Sequence, residues 1–261
     1  MNPISFSIDE FKAFLLILLR IGGIIFSMPL IGDRIVLPQI KIGFVLFLTL
    51  LFLPVINVDP QVFPDQTLLF AVIAFKEILI GVLLGYVFKV LFGAFVAAGQ
   101  LIGFQMGFGI ANVAYPGFEF QGSVISAFLN LVAIFLFFST DTHHLFLISI
   151  KKSYDIIPAG GGFSMALMAQ GLSIDIVGKF FLLVLQIAMP VTLMLLFISA
   201  VLGIISRLIP QINVFIISFP LTIQVGLIML LLAVPSIAMT LNDRFLSFGR
   251  SFIGLLEGMR A

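Results

Sequence analysis

Long apolar runs, broken at a few points by charge or by glycine and proline, set the pattern of this chain. The first run, Phe11 to Ile31, contains Arg20 and ends near Pro29; Gly32-Asp33-Arg34 then predicts a turn, with Pro38 just beyond. A second run, Ile42 to Ile56, is short against the roughly 20 residues that a membrane span needs. Asn57 to Gln66 carries Pro60, Pro64, Asp59 and Asp65 and predicts a loop. Thr67 to Phe104 is the longest run, interrupted only by Lys76, Glu77 and Lys89. At about 1.5 Å per residue it exceeds one span, which predicts a bend or an extension beyond the bilayer.

The next stretch, Gly99 to Gln121, reads GQLIGFQMGFGIANVAYPGFEFQ. Gly99, Gly103, Gly107 and Gly109 recur at short intervals, and Tyr115-Pro116-Gly117 is a turn signal. Pro116 cannot donate to a helix ladder, and glycines at this density weaken a helix interior. Irregular backbone at membrane depth persists only where protein covers it or where it lines a cavity. The stretch therefore reads as a lipid-excluded loop inside an assembly, as part of a pathway, or as an ordinary connection.

Ser123 to Phe138 is apolar again, and the pattern predicts that it continues through Asp141-Thr142-His143-His144 into Leu145 to Ile150. Lys151 to Gly162 is polar, and Gly160-Gly161-Gly162 predicts a flexible joint. Ile176 to Ile205 and Val214 to Met239 are the last two long runs. The tight connection between them, Ser206 to Asn213, predicts a helical hairpin. The tail, Asn242 to Ala261, is amphipathic and carries Arg244, Arg250 and Arg260.

Composition sharpens this picture. Of 261 residues 61% are hydrophobic and 10% charged, with a mean hydropathy of +1.28. Soluble domains hold about 25% charged residues, so the chain is an integral membrane protein, and with its long apolar runs read as helices the expected fold is all-α. A net charge of +1 leaves no basic patch for nucleic acid. The absence of cysteine excludes disulfides, thiolate metal sites and cysteine nucleophiles. There is no tryptophan and there are three tyrosines, so the aromatic belt is thin, whereas phenylalanine is abundant at 31. Phe packs well but has no polar handle for an interface, which favours helices buried against helices. Asp9 and Glu10 precede the first run where a cleavable signal would be basic, so none is expected. Lys151-Lys152, Arg34 with Lys41, and Arg207 fall in connections that cannot all share one side with the basic tail. That conflict hints that the helices do not all span lipid in the ordinary way.

Lys76 and Glu77 are the most informative charges. Ionisable groups in apolar helices are costly and face protein or water. They read either as a proton or ion site or as groups paired with a neighbouring helix or subunit, and pairing is favoured because no second carboxylate lies in that run. Gly81 and Gly85 form GxxxG, a face for close helix approach. His143 and His144 have no further His or Cys at ligand spacing, so no metal is expected. No Ser-His-Asp set, P-loop or HExxH occurs, which argues against an enzyme, and no cofactor is implied.

Two stretches carry a resemblance. Gly99 through Gly117 looks like the central motif of the FliR family of flagellar export-gate proteins. Ile205 to Gly226, read as ISRLIPQINVFIISFPLTIQVG, looks like the family's C-terminal hairpin motif. Pro29 to Pro38, Glu77 to Gly81 and Asp141 to Ser149 agree, so the resemblance runs nearly end to end; injectisome homologues share the pattern. Where many relatives have an acid before the Pro-Gly of the central loop this chain has Tyr115, and where many have Glu it has Gln100.

The resemblance implies one such chain assembled with several copies of FliP and FliQ, beside FlhB and FlhA, in the bacterial inner membrane at the flagellar basal body. The assembly passes unfolded export substrates. It further implies a FliP-like part over 1–172, a FliQ-like hairpin over 173–241 and a tail over 242–261, with a channel plug near 104–122. On that footing Phe104, Met106, Gly107, Phe108, Gly109, Tyr115, Pro116 and Gly117 are the expected plug residues. Lys76, Glu77, Gly81, Gly85, Arg207, Pro210 and Asn213 are the expected subunit-packing residues. The competing class is a small secondary transporter with Lys76 and Glu77 as its coupling site and Gly99 to Gly109 as a broken helix. Such transporters show paired interruptions in two halves, and the chain has no clear second copy of GQLIGFQMGFG.

Overall fold

The computed structural model describes residues 8–29, 36–56, 58, 66–108, 123–161, 175–209, 211 and 213–259, with the backbone alone at 175, 215 and 240–259. Seven helices run through them: α1 (Ile8–Ser27), α2 (Pro38–Phe52), α3 (Thr67–Gln105), α4 (Val124–Ser139), α5 (Thr142–Ile156), α6 (Asp175–Leu208) and α7 (Val214–Met259). No strand occurs among the described residues. Of these segments Thr67–Gln105, Ile176–Leu208 and Ile216–Met239 are long and apolar enough to cross a membrane. The protein is thus an all-helical membrane protein.

Local chemistry accounts for the helix ends. Asp9 and Glu10 sit in the first turn of α1, where the helix dipole favours acids. Pro38 opens α2 at a position whose N–H would be unbonded anyway. The 15 residues of α2 span about 22 Å, short of a bilayer core of about 30 Å. α3 runs 39 residues without interruption, about 58 Å, so its length is met by extension rather than by a break. The Ser123 side chain caps α4 by accepting the Ile125 N–H at 3.2 Å.

The run expected to continue from Ser123 into Ile150 is in fact two helices. The Thr140 N–H and hydroxyl both donate to the Leu136 carbonyl, at 2.9 and 2.8 Å, which closes α4. Asp141 then takes a positive φ of 55°, a conformation that Asp tolerates better than most residues. At the other end of the chain α7 continues from the apolar run into the tail, with Pro220 and Pro235 inside it. The helix thus runs on through the polar residues around 242 without a stop.

The described residues fall into two compact units. The first is drawn from Met1–Val90, Asp141–Val177 and Leu246–Ala261, the second from Leu91–Thr140 and Gly178–Phe245. In the first, Leu16, Ile17, Ile21 and Ile24 of α1 and Ile80 and Leu84 of α3 are all buried. Phe88 meets Phe146 of α5 edge to face, with ring centroids 4.9 Å apart. The core of the second holds Phe92, Phe95, Ile102 and Met106 of α3, Leu129 and Ala133 of α4, and Ile187, Val191 and Leu195 of α6. α6 and α7 pair antiparallel, so that Leu183, Ile187 and Pro190 face Ala233 and Ile237 across a cavity of about 40 Å³. Phe181, Leu185, Met189, Leu193 and Phe197 leave the outer side of α6 apolar and exposed.

Candidate functional site

The first unit is built around a charge pair. Arg20 and Glu77 are 0% and 1% exposed. A carboxylate or guanidinium this deep is stable only if paired and hydrogen-bonded. Arg20 Nε donates to Glu77 Oε2 at 2.5 Å and Nη2 to Oε1 at 3.0 Å, a two-pronged match that a planar guanidinium makes well. Nη1 donates to the carbonyls of Ser153 and Ile157, at 3.0 and 2.9 Å. Those carbonyls lie at the C-terminal end of α5, where the helix dipole favours a cation; the Ser153 carbonyl also accepts the Ile157 N–H at 3.0 Å. The guanidinium carbon lies 4.1 Å from the centroid of the Tyr154 ring, and the Tyr154 hydroxyl donates to the Ile17 carbonyl at 3.2 Å. Glu77 Oε1 also accepts the Gly160 N–H at 2.8 Å. Gly160, with φ 77°, sits in a turn at this bond, while Gly162 of the expected joint lies outside the described residues.

Close helix approach makes the pair possible. A Cβ on Gly81 would run into the carbonyl of Arg20 and come within 3.1 Å of the Gly23 Cα. One on Gly85 would lie 2.5 Å from the Ile24 carbonyl. The GxxxG face of α3 is thus filled by α1 of the same chain. Glu77 is satisfied inside the chain, and Lys76 beside it is half-buried.

The second unit holds the root of the central glycine-rich segment. A Cβ on Gly99 would lie 2.5 Å from the Ser126 Cα, so α3 and α4 touch backbone to backbone; Ser126 adds a hydroxyl bond to the Val96 carbonyl at 3.0 Å. One turn on, Gly103 lies against Ser123. α3 then ends in a tight turn, where the Met106 N–H donates to Ile102 O at 2.9 Å and the Gly107 N–H to Phe104 O at 3.1 Å. Gly107 has φ 94°, open to glycine and strained for other residues. Gln105 Oε1 is buried without a hydrogen-bond partner among the described residues, a cost of about 1–3 kcal/mol.

This turn meets α7. Met106 is 0% exposed and covers Gly226, where an added Cβ would lie 2.8–2.9 Å from its Cγ, Sδ and Cε. Thr222 Oγ1 donates to the Met106 carbonyl at 3.2 Å. The Phe219 ring lies over Gly107, 2.8 Å from where its Cβ would be. The two stretches that carried the resemblance therefore touch each other within one chain.

Of the expected plug residues, Phe104 is 75% exposed, Met106 is buried against α7, and Gly107 and Phe108 are half-buried. Gly109, Tyr115, Pro116 and Gly117 lie outside the described residues, as does Pro210. Arg207 and Asn213 are exposed at the facing ends of α6 and α7, where the Asn213 carbonyl accepts the Ile216 N–H at 3.1 Å. Sequence reasoning missed a third group near the two histidines: ligand atoms of Asp141, His143 and His144 lie within 4.8 Å of one another. The three sit at the N-terminal end of α5, where the helix dipole disfavours a cation.

Comparison with known proteins follows the same lines. Residues 11–248 match the family described as bacterial export proteins, family 1. The flagellar biosynthetic protein FliR of Bacillus subtilis (strain 168) is 34% identical over 241 residues, covering 91% of this chain and 92% of that protein. Its counterpart in Caulobacter vibrioides is 30% identical, with 88% and 91% covered. That of Aquifex aeolicus is 30% identical, with 97% of both chains covered.

Proposed function

The chain belongs to family 1 of the bacterial export proteins, and from that membership we propose that it is a subunit of the flagellar type III protein export gate. It forms part of the protein-conducting channel in the bacterial inner membrane, at the flagellar basal body, and its central segment from about Phe104 to Pro116 obstructs that channel at rest. FliP- and FliQ-like subunits complete the assembly, FlhB and FlhA adjoin it, and unfolded export substrates pass through it. Residues 1–172 act as the FliP-like part and 173–241 as the FliQ-like hairpin, followed by the tail.

One observation supports this reading above the rest. The central segment departs from a root held by buried Met106, positive-φ Gly107 and the α7 face at Phe219, Thr222 and Gly226. A channel wide enough for unfolded protein leaks ions unless a pliable apolar element closes it, and such an element needs a fixed base. The exposed apolar side of α6, from Phe181 to Phe197, suits packing against further helices of an assembly. The transporter alternative has a weaker basis. A coupling carboxylate must meet water and exchange protons, whereas Glu77 is 1% exposed and both its oxygens are engaged by Arg20.

Mild detergent extraction followed by purification tests the proposal. The chain is expected to bring down small all-helical partners, and cysteine pairs placed in the α6–α7 hairpin and in a FliQ-like partner are expected to crosslink. A chain that purifies alone, stable and without partners, would contradict it.

A further inference from the structure

We propose that the Met106–Gly107 turn is a releasable joint and that Phe219, Thr222 and Gly226 of α7 form its seat, so that export requires the turn to leave α7. The inference rests on the reading that the central segment obstructs the channel.

The three seat residues stand at i, i+3 and i+7 and so share one face of α7. Each makes a different contact. Gly226 leaves a gap that the Met106 thioether fills, Phe219 covers Gly107, and Thr222 donates to the Met106 carbonyl at 3.2 Å. All three rest on side chains that can move. Met is unbranched and flexible, and no side chain on Gly226 stands in the way of its withdrawal.

Release does not strand the Thr222 hydroxyl. Thr222 Oγ1 already lies 2.9 Å from the Ser218 carbonyl and 3.2 Å from that of Phe219, so its proton passes to its own helix when Met106 departs. Of the hydrogen bonds that shape the turn, Gly107 N–H to Phe104 O lies beyond Gly103 and travels with the turn, while Met106 N–H to Ile102 O bridges the hinge and opens as the turn leaves.

The contrast with the preceding turns sets the hinge. At Gly99 α3 meets the α4 backbone itself, with the Ser126 Cα 2.5 Å from an added Cβ, and Gly103 lies against Ser123. Backbone-to-backbone packing of that kind does not part without moving a whole helix. The fixed part of α3 therefore ends at Gly103 and the joint opens beyond it, with Gly107 at φ 94° adding conformational freedom where the central segment leaves the turn.

The chain has no cysteine, which makes a lock simple to install. Met106→Cys with Gly226→Cys, carried in the assembled complex in cells, is expected to crosslink within the chain in the resting state. Under oxidation export should fall to background, and reductant should restore it. A second pair of variants removes dependence on the crosslink. Gly226→Leu should displace the turn and raise resting ion leakage, and adding Met106→Ala should return leakage toward the parent value by refilling the gap from the other side. A parallel arm deletes Gly107 to Val113. If the deletion leaks while the crosslinked double-cysteine protein still exports, the joint is refuted and the plug reading stands. If the deletion does not leak, the plug reading fails and the joint fails with it. Absence of crosslinking in the resting complex also overturns the joint.

Discussion

Arg20 and Glu77 are 57 positions apart, yet each completes the other's hydrogen bonding in the interior. Removing one member of such a pair leaves a buried uncompensated charge, at a cost of about 3–5 kcal/mol. Glu77→Ala should therefore lower thermal stability in detergent sharply. Arg20→Met with Glu77→Leu should recover only part of the loss, because the Ile157 carbonyl and the Gly160 N–H lose these partners and the Ser153 carbonyl keeps only the Ile157 N–H. Arg20→Lys should behave like a deletion, since one ammonium cannot serve a carboxylate and two carbonyls in this fork-like arrangement. Unfolding curves of the purified variants decide the matter: Glu77→Ala as stable as the parent would refute a structural role for the pair. The sequence marked both charges as costly in apolar helices, but their partnership was not legible. Nothing local to either residue encodes a contact that depends on where α1 crosses α3 and where α5 ends.

Among the elements, glycine has two distinct uses, and substitution separates them. Gly81 meets only backbone of α1, which cannot yield, so Gly81→Leu should force α1 from α3 and cost at least about 1–3 kcal/mol as overpacking. Because α1 belongs to the same chain, loss of folded protein should precede any loss of partners. Gly203 of α6 has nothing within 4 Å of an added Cβ, and Gly203→Ala should stabilise by about 0.5–1 kcal/mol through helix propensity. Thermal shifts measured side by side check both, and equal effects at the two positions would contradict the packing described. The runs of apolar residues located the helices well, because hydropathy is a local property. The ends were harder. Asp141 in a left-handed conformation breaks the run after Thr140 where neither Gly nor Pro marks a stop, and α7 runs through a polar stretch to Met259. At Thr140 a hydroxyl bond to the Leu136 carbonyl closes the helix, and such a contact is invisible in a hydropathy pattern.

For the whole molecule, the two motifs that carried the resemblance are brought together by α3 and α7, which seat Met106 on Gly226. The motif residues were legible singly, as glycines and soft apolar groups. That Met106 belongs to a core rather than to a free loop was not, since its burial is created by a helix more than a hundred positions later. On the proposed function, the central segment, held at this root, seals a protein-conducting channel at rest. Shortening Gly107 to Val113 tests it most directly. The variant complex is purified to confirm that its subunits are present, and ion leakage is measured in cells that express it. An assembled complex that leaks small ions while the parent stays tight is the expected result; an assembled variant as tight as the parent would show that the seal lies elsewhere.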